Sequence, residues 1–471
     1  MKNSNNNITK KDISKDMGTA PVGKLLLKMA IPTVLAQLVN LLYNIVDRIY
    51  IGHMKGDGDI ALTAIGLCFP IVYLLMAFTM LIAQGGAPKA AIAMGEGDND
   101  KAEKILGNCF TSLIIVGVLL TIVFEIYGEP VLWFFGASEN TIVYALPYMR
   151  VYVAGALSVM ISLGLNMFIT TQGFTQYSMR TVIIGAVANI ILDPIFIYVF
   201  DMGTMGAALA TVISQSLSAI FVLSFLFGKR TKLRIKRQYL VPSANIMLPV
   251  TALGLAPFIM QSTEAVLNVA FNSSLQKYGG DTAVGALTIA NTVMQMVWIP
   301  AQGIGQGAQP IISYNYGAKN AARVKEAVKL MFIACFVLLT VFWALVQGFP
   351  QVFIKIFNNS SSELLEIGTW TLRLYTAVLC LFGIQMAAQQ TFMALGKAKA
   401  SLFVACLRKV ILLIPLIYIL PNFFENKVFA VFLAEPVSDF ISVSVCAVLF
   451  VVVFRKVIKE LGNEHNNRPK S

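Results

Sequence analysis

The sequence predicts an all-α polytopic membrane protein of twelve spanning helices in two related six-helix halves, and three observations lead there. The first is composition. Of 471 residues, 57% are hydrophobic and only 13% are charged, with a mean hydropathy of +0.73. A soluble chain of this length needs far more charge to cover its surface. The second is that the apolar residues come in long runs, such as 112–124 and 410–420 with their flanks. A helix crossing a bilayer core needs about 20 such residues. The third is an internal repeat, in which the same short patterns recur in the same order in both halves.

Apolar windows between polar breaks place the spans at 25–51, 61–88, 105–127, 141–169, 179–200, 204–227, 248–275, 282–312, 327–348, 364–392, 400–420 and 428–454. Pro32, Pro70, Pro147, Pro194, Pro257, Pro300, Pro415 and Pro436 fall inside them. Each marks an expected kink whose freed carbonyl must find another partner. The first 23 residues are polar and carry no short apolar core with a cleavage site, so no removable signal peptide is expected.

Charge fixes the orientation. With the N-terminus inside, 27 Lys and Arg fall in same-side segments, against four on the other side: Lys55, Lys277, Lys355 and Lys427. This bias predicts that both termini are cytoplasmic in a multi-pass plasma-membrane protein, and it requires an even number of spans. The same bias accounts for the net charge of +12 without a nucleic-acid partner. The expected organisation is a cytoplasmic tail at 1–24, a first lobe at 25–228, a basic linker at 229–247, a second lobe at 248–455 and a cytoplasmic tail at 456–471. The linker's charge run, with Lys229, Arg230, Lys236 and Arg237, reads as a solvated loop that sets orientation or as a lipid- or partner-binding segment.

The repeat is explicit. Gly58-Asp59, Ala61 and Ala64 match Gly280-Asp281, Ala283 and Ala286, and Gln84-Gly85, Pro88 and Gly95 match Gln306-Gly307, Pro310 and Gly317, all at a shift of 222. Arg150 and Tyr152 pair with Arg373 and Tyr375, and Gly173 with Gly396. Six spans separate the copies, so both halves share one orientation and are related by an axis along the membrane normal.

Ionisable groups in a bilayer core are costly and normally face an interior cavity. In span 1, Asn40, Tyr43, Asn44 and Asp47 lie on one helical stripe at i, i+3, i+4 and i+7. Span 5 offers Asn189 and Asp193 on one face, next to Pro194, and span 6 offers Thr211. Counted from the span ends, Asp47, Asp193 and Thr211 lie within roughly 5 Å of one depth. Two carboxylates among amide, hydroxyl and phenol oxygens suit a proton or a small hard cation such as Na⁺ at Asp47, Asn189, Asp193 and Thr211. The alternative for Asp47 is an ion pair with Arg48. In the second half, Glu264 sits mid-span with Gln261 and Asn268 on its face, and Glu435 and Asp439 flank Pro436. These are secondary cation or substrate candidates; Glu435 and Asp439 would otherwise neutralise Arg373, Arg408 or Lys409. Gln385 and Gln389 serve the same site or simply tie helices together. Methionines such as Met160, Met167, Met260, Met294 and Met296 pack the spans or line an adaptable pocket.

Two histidines, His53 and His465, and six cysteines without CxxC spacing give no metal-site pattern; the cysteines read as small buried hydrophobes. No P-loop, HExxH or GxSxG motif occurs, so neither an enzyme nor a cofactor is expected.

The segments Leu42-Tyr43-Asn44-Ile45-Val46-Asp47 and Asn189-Ile-Ile-Leu-Asp193-Pro194, with Met205-Gly206-Ala207-Ala208, resemble the multidrug and toxic compound extrusion (MATE) family, its MepA-like branch in particular. The resemblance covers essentially the whole chain. It implies a V-shaped pair of six-helix bundles acting as a monomer. It further implies export of cationic or amphipathic organic compounds by antiport with H⁺ or Na⁺, as in antibiotic resistance. The family's first-lobe cation site carries over to Tyr43, Asp47, Asn189, Asp193 and Thr211. Some members add a glutamate in the seventh helix, matched by Glu264, and an aspartate in the tenth, where this chain has only Gln385 and Gln389. The alternative on the same architecture is a flippase for a lipid-linked sugar or similar metabolite, which would need a strongly cationic cleft.

Overall fold

In the computed structural model, residues 17–54, 58–357 and 362–466 are described. Lys55 and the outer parts of both expected tails lie outside the described residues, as do the side chains of Asp59 and His465. Among the described residues there is no strand. The helices are α1 Val22–Gly52, α2 Gly58–Glu96, α3 Asn99–Phe134, α4 Glu139–Ala154, α5 Ala156–Thr171, α6 Thr175–Pro194, α7 Gly203–Phe227, α8 Ala244–Gly317, α9 Ala321–Gly348, α10 Pro350–Phe357, α11 Ser362–Tyr375, α12 Leu379–Ala394, α13 Ala398–Cys406, α14 Ile414–Ile419 and α15 Lys427–Asn466.

The twelve expected crossings are present. Nine helical runs are each long and apolar enough to span a bilayer; α4 with α5, and α11 with α12, make two more as bent pairs. One of the nine, α8, counts twice. Its 74 residues would measure about 110 Å if straight, against a core of about 30 Å. The chain turns at Gly280, where φ 61° and ψ −159° admit only glycine. The two arms pack together through Leu267, Phe271, Leu275, Ala286 and Val293.

Local capping follows the repeat. Gly97, at φ 85°, ends α2, and the Asp98 side chain accepts the Lys101 amide at 2.9 Å to start α3. In the second copy Lys319 adopts φ 60° and Asn320 caps α9 through the Arg323 amide at 3.2 Å. The device survives although a lysine must take a backbone conformation that glycine takes without strain.

Two spans are broken at residues that are not proline, by 53° at Gly155, between α4 and α5, and by 45° between Tyr375 and Leu379. Gly155 has the methyls of Val212 packed where its own side chain would lie. Beside the break after Tyr375, α9 supplies donors to two carbonyls. Gln347 Nε2 donates to Arg373 O at 2.8 Å, and Trp343 Nε1 donates to Ala377 O at 3.1 Å. Backbone freed inside a membrane protein is tolerated on this condition. Pro194 and Pro415 lie close to π-helical turns at Ile195–Val199 and Leu407–Leu413.

One core runs through the first half from Ile51 to Val250, and the second half has its own clusters. Helix α1 bridges them. Its first turns, Val22 to Ala30, pack on Ala308, Ile311 and Ile312 of α8. Thr33 Oγ1 donates to Gly303 O at 2.7 Å, and Gln37 Nε2 donates to Gln306 Oε1 at 3.0 Å. The seam between halves is backbone against backbone. A methyl at Gly85 would strike Val250 O, at Gly254 Leu81 O, at Gly95 Tyr314 O and at Gly317 Ile92 O. These contacts all lie toward the bundle end that carries the described terminal residues.

The basic linker is tied down along its length. Gln172 Oε1 accepts from Thr231 Oγ1 and the amides of Lys232 and Leu233 at 2.8–2.9 Å. Lys236 pairs with Glu103, and this partner raises the lysine pKa above its usual value. The seam argument is checked by Gly317→Val, expected to cost about 1–3 kcal/mol through overpacking. Melting of the purified protein in detergent should fall, while Gly66→Ala, with nothing within 4 Å of the added methyl, should leave it unchanged.

Candidate functional site

Three helices converge on the first-half site. Helix α6 ends at Asp193, fully buried, with Asn189 one turn earlier and also buried. Asn189 Nδ2 donates to Asp193 Oδ1 at 3.1 Å and toward Thr211 Oγ1 of α7 at 3.4 Å. The single amide therefore fixes the carboxylate against the neighbouring helix. From α1, the Asp47 carboxyl comes beside that of Asp193, close enough for the two to interact electrostatically. Tyr43, one turn nearer the N-terminus, meets the side chains of Asn44 and Gln215. Asn44 also donates to Asn40 O at 2.6 Å and stays exposed, so this pair forms the rim of the site.

Arg48 does not close on Asp47; its guanidinium lies over the Phe69 ring, 5.1 Å from the centroid. What remains is a set of buried acceptors without hydrogen-bond partners: Asp47 Oδ1, Asn189 Oδ1 and Asp193 Oδ2. Two carboxyls in contact repel unless a proton or cation lies between them. Oxygen-only ligation suits a proton or a hard cation, so the donor set fits either H⁺ or Na⁺.

Three neighbours escape the sequence reading. Tyr148 and Tyr152 of α4, buried and stacked at 6.0 Å, stand within electrostatic reach of Asp47. Gln215 accepts Ser162 Oγ at 2.5 Å while contacting Tyr43. Their signal was present in i, i+4 spacings, Tyr148 with Tyr152 and Thr211 with Gln215. Phenols and amides are common packing residues, so the spacing did not single them out.

The second half uses its charges differently. Arg408, at the start of the π-helical turn, donates to Glu435 Oε1 at 2.7 Å and to Asp439 Oδ1 at 2.6 Å, and lies over Phe382 at 4.5 Å. Of the three bases open to Glu435 and Asp439, Arg408 is therefore the one they neutralise. Arg373 instead donates to Gln347 O at 3.1 Å, and Lys409 pairs with Glu264. Gln385 accepts Ser442 Oγ at 3.0 Å, and Gln389 donates to Ser401 Oγ at 2.8 Å, so both tie helices together while also lining a cavity. Asn268 is exposed and bonds back to Glu264 O on its own helix.

That cavity encloses about 1000 Å³ of atom-free space, part of it open to solvent. Its apolar wall is Met80, Met260, Met386, Met393, Trp298 and Phe382, and Gln261, Glu264, Arg408 and Lys409 face it. Of the methionines singled out from sequence, Met260 lines it, whereas Met160 is fully buried in the first-half core. All six cysteines are free thiols, four of them buried.

Comparison with known proteins bears on this arrangement. The family described as MatE matches twice, over residues 32–195 and 256–419. Among curated proteins, the multidrug export protein MepA of Staphylococcus saprophyticus is 25% identical over 436 residues, covering 92% of this chain and 94% of that protein. MepA of Staphylococcus aureus strain NCTC 8325 is 24% identical, covering 93% and 95%. Among solved structures, an outward-facing multidrug-resistance MATE transporter of the MOP superfamily superposes with a TM-score of 0.87 at 22% identity, over 95% of this chain and 99% of that one.

Arg408→Met leaves two nearly buried carboxyls without their cation and should cost about 3–5 kcal/mol. Monodisperse yield and melting temperature should drop, and adding Glu435→Gln and Asp439→Asn to the same chain should restore most of both.

Proposed function

The chain belongs to the MatE family, and on that premise we propose that it is a secondary active multidrug efflux transporter. It exports cationic or amphipathic organic compounds by antiport with H⁺ or Na⁺ through alternating access. It sits in the plasma membrane with both termini cytoplasmic, and its lobes are residues 25–228 and 248–455. The observation that carries this reading is the trio of buried, unpartnered oxygens on Asp47, Asn189 and Asp193.

The mechanism follows from what those residues hold. Asn189 keeps Asp193 in place from within α6, so the carboxyl that moves relative to it is Asp47 on α1. Filling the site with a proton or Na⁺ cancels the repulsion between the two carboxyls and draws the outer part of α1 onto α6. Vacating it restores the repulsion and releases α1, the helix that also spans the seam between lobes. An ion and a cationic guest thus favour different positions of one helix, which is the differential binding that coupling requires. The methionine and aromatic wall of the cavity suits guests of varied shape.

The test is efflux from proteoliposomes under separately imposed Na⁺ and H⁺ gradients. One gradient should drive a cationic dye outward. Asp193→Asn should abolish that movement, and drug resistance in a hypersusceptible host, at unchanged expression. Undiminished resistance in the variant would sink the proposal.

A further inference from the structure

The two halves treat the same problem in opposite ways. The repeat runs at shifts of 222 and 223, and the two matched stretches begin 224 residues apart. At any of these shifts Asp47 falls on Val269, Ala270 or Phe271, and Asp193 on Pro415, Leu416 or Ile417, none of them acidic. The carboxyl pair of the first half therefore has no counterpart in the second. What the second half has instead is Glu264, with its carboxylate bonded to the Lys409 ammonium.

The surroundings of that ammonium resemble those of a bound ion. Lys409 Nζ sits between the Glu264 carboxylate and the Met260 carbonyl, the latter at 2.8 Å. A carboxylate and a main-chain carbonyl are oxygens that a monovalent hard cation uses. The lysine side chain is 5% exposed, whereas that of Glu264 is 44% exposed and faces the cavity. Arg408 offers no substitute, since Glu435 and Asp439 already engage it.

We propose that Lys409 is a tethered cation that permanently fills a cation site in the second lobe, at Glu264 and the Met260 carbonyl. The second lobe then needs no mobile ion, and coupling is confined to the first. Removing the ammonium should open the position to small cations, which can reach Glu264 from the cavity. The comparison with a coupling ion rests on the functional reading above, but the site itself is a binding property. It is measured without any gradient, so failure of efflux and failure of this inference are separable.

The experiment uses full-length protein in detergent, in an Asp193→Asn background that silences the first-half site, with n-propylammonium, Na⁺ and choline as probes. With Lys409 present, none should change the melting temperature. In Lys409→Ala, propylammonium or Na⁺ should raise it by about 2–4 °C while choline, too bulky for the position, does not. Adding Glu264→Gln should remove the gain. Should Lys409→Ala fold poorly, recovery of monodisperse protein when propylammonium is present during extraction supports the tethered-cation role. The idea is overturned if Lys409→Ala shows no cation-dependent gain, or if the gain persists with Glu264→Gln. It is equally overturned if only the double Lys409→Ala/Glu264→Gln variant folds and propylammonium does not recover the single one.

Discussion

Charge taken out of water needs compensation, and that constraint organises the interior of this protein. An isolated ion in a low-dielectric surrounding costs several kcal/mol even after relaxation. Arg408 is therefore flanked by two carboxylates, and Lys409 is paired with Glu264. The Asp47–Asp193 contact is the exception, with two acidic groups and no basic partner among its hydrogen bonds. A protein can keep such an arrangement only if something positive visits it. The imbalance would be a defect in a static scaffold, and the proposed function gives it a use.

The same constraint shapes the backbone. A bend in a membrane helix exposes carbonyls that lipid cannot satisfy. The chain accordingly bends where a neighbour supplies a donor, as Gln347 and Trp343 do beside the break after Tyr375. Proline is not required for either broken span. Where two spans must touch closely, glycine removes the side chain altogether. The seam residues Gly85, Gly95 and Gly317 meet main-chain carbonyls rather than side chains. Close, small-residue contacts of this kind substitute for the hydrophobic driving force that lipid does not provide.

Duplication supplied two similar halves, and the interior charges have since diverged within a preserved frame. Caps at Asp98 and Asn320 and the glycines Gly95 and Gly317 keep their positions in both copies. Asp47 and Asp193 in one copy have no carboxylate at the matching positions of the other, whether the shift is 222, 223 or 224. The frame is held by packing and hydrogen bonds that tolerate little change. The site residues answer only to electrostatic balance, which several combinations can satisfy.

The amino-acid sequence determined the spans, their number and the repeat, because bilayer thickness and the loop-charge bias act on linear stretches of chain. It also brought Asp47, Asp193 and Thr211 to one depth, because helical spacing and rise are fixed. Pairing across helices was beyond it. Whether Glu435 and Asp439 meet Arg373, Arg408 or Lys409, and whether Arg48 closes on Asp47 or stacks on Phe69, depends on helix rotation and tilt. Those are set by the packing of every neighbouring span at once. The bends at Gly155 and after Tyr375, and the roles of Tyr148, Tyr152 and Gln215, belong to the same class. Only the tertiary structure decided them, since each depends on a partner remote in the chain.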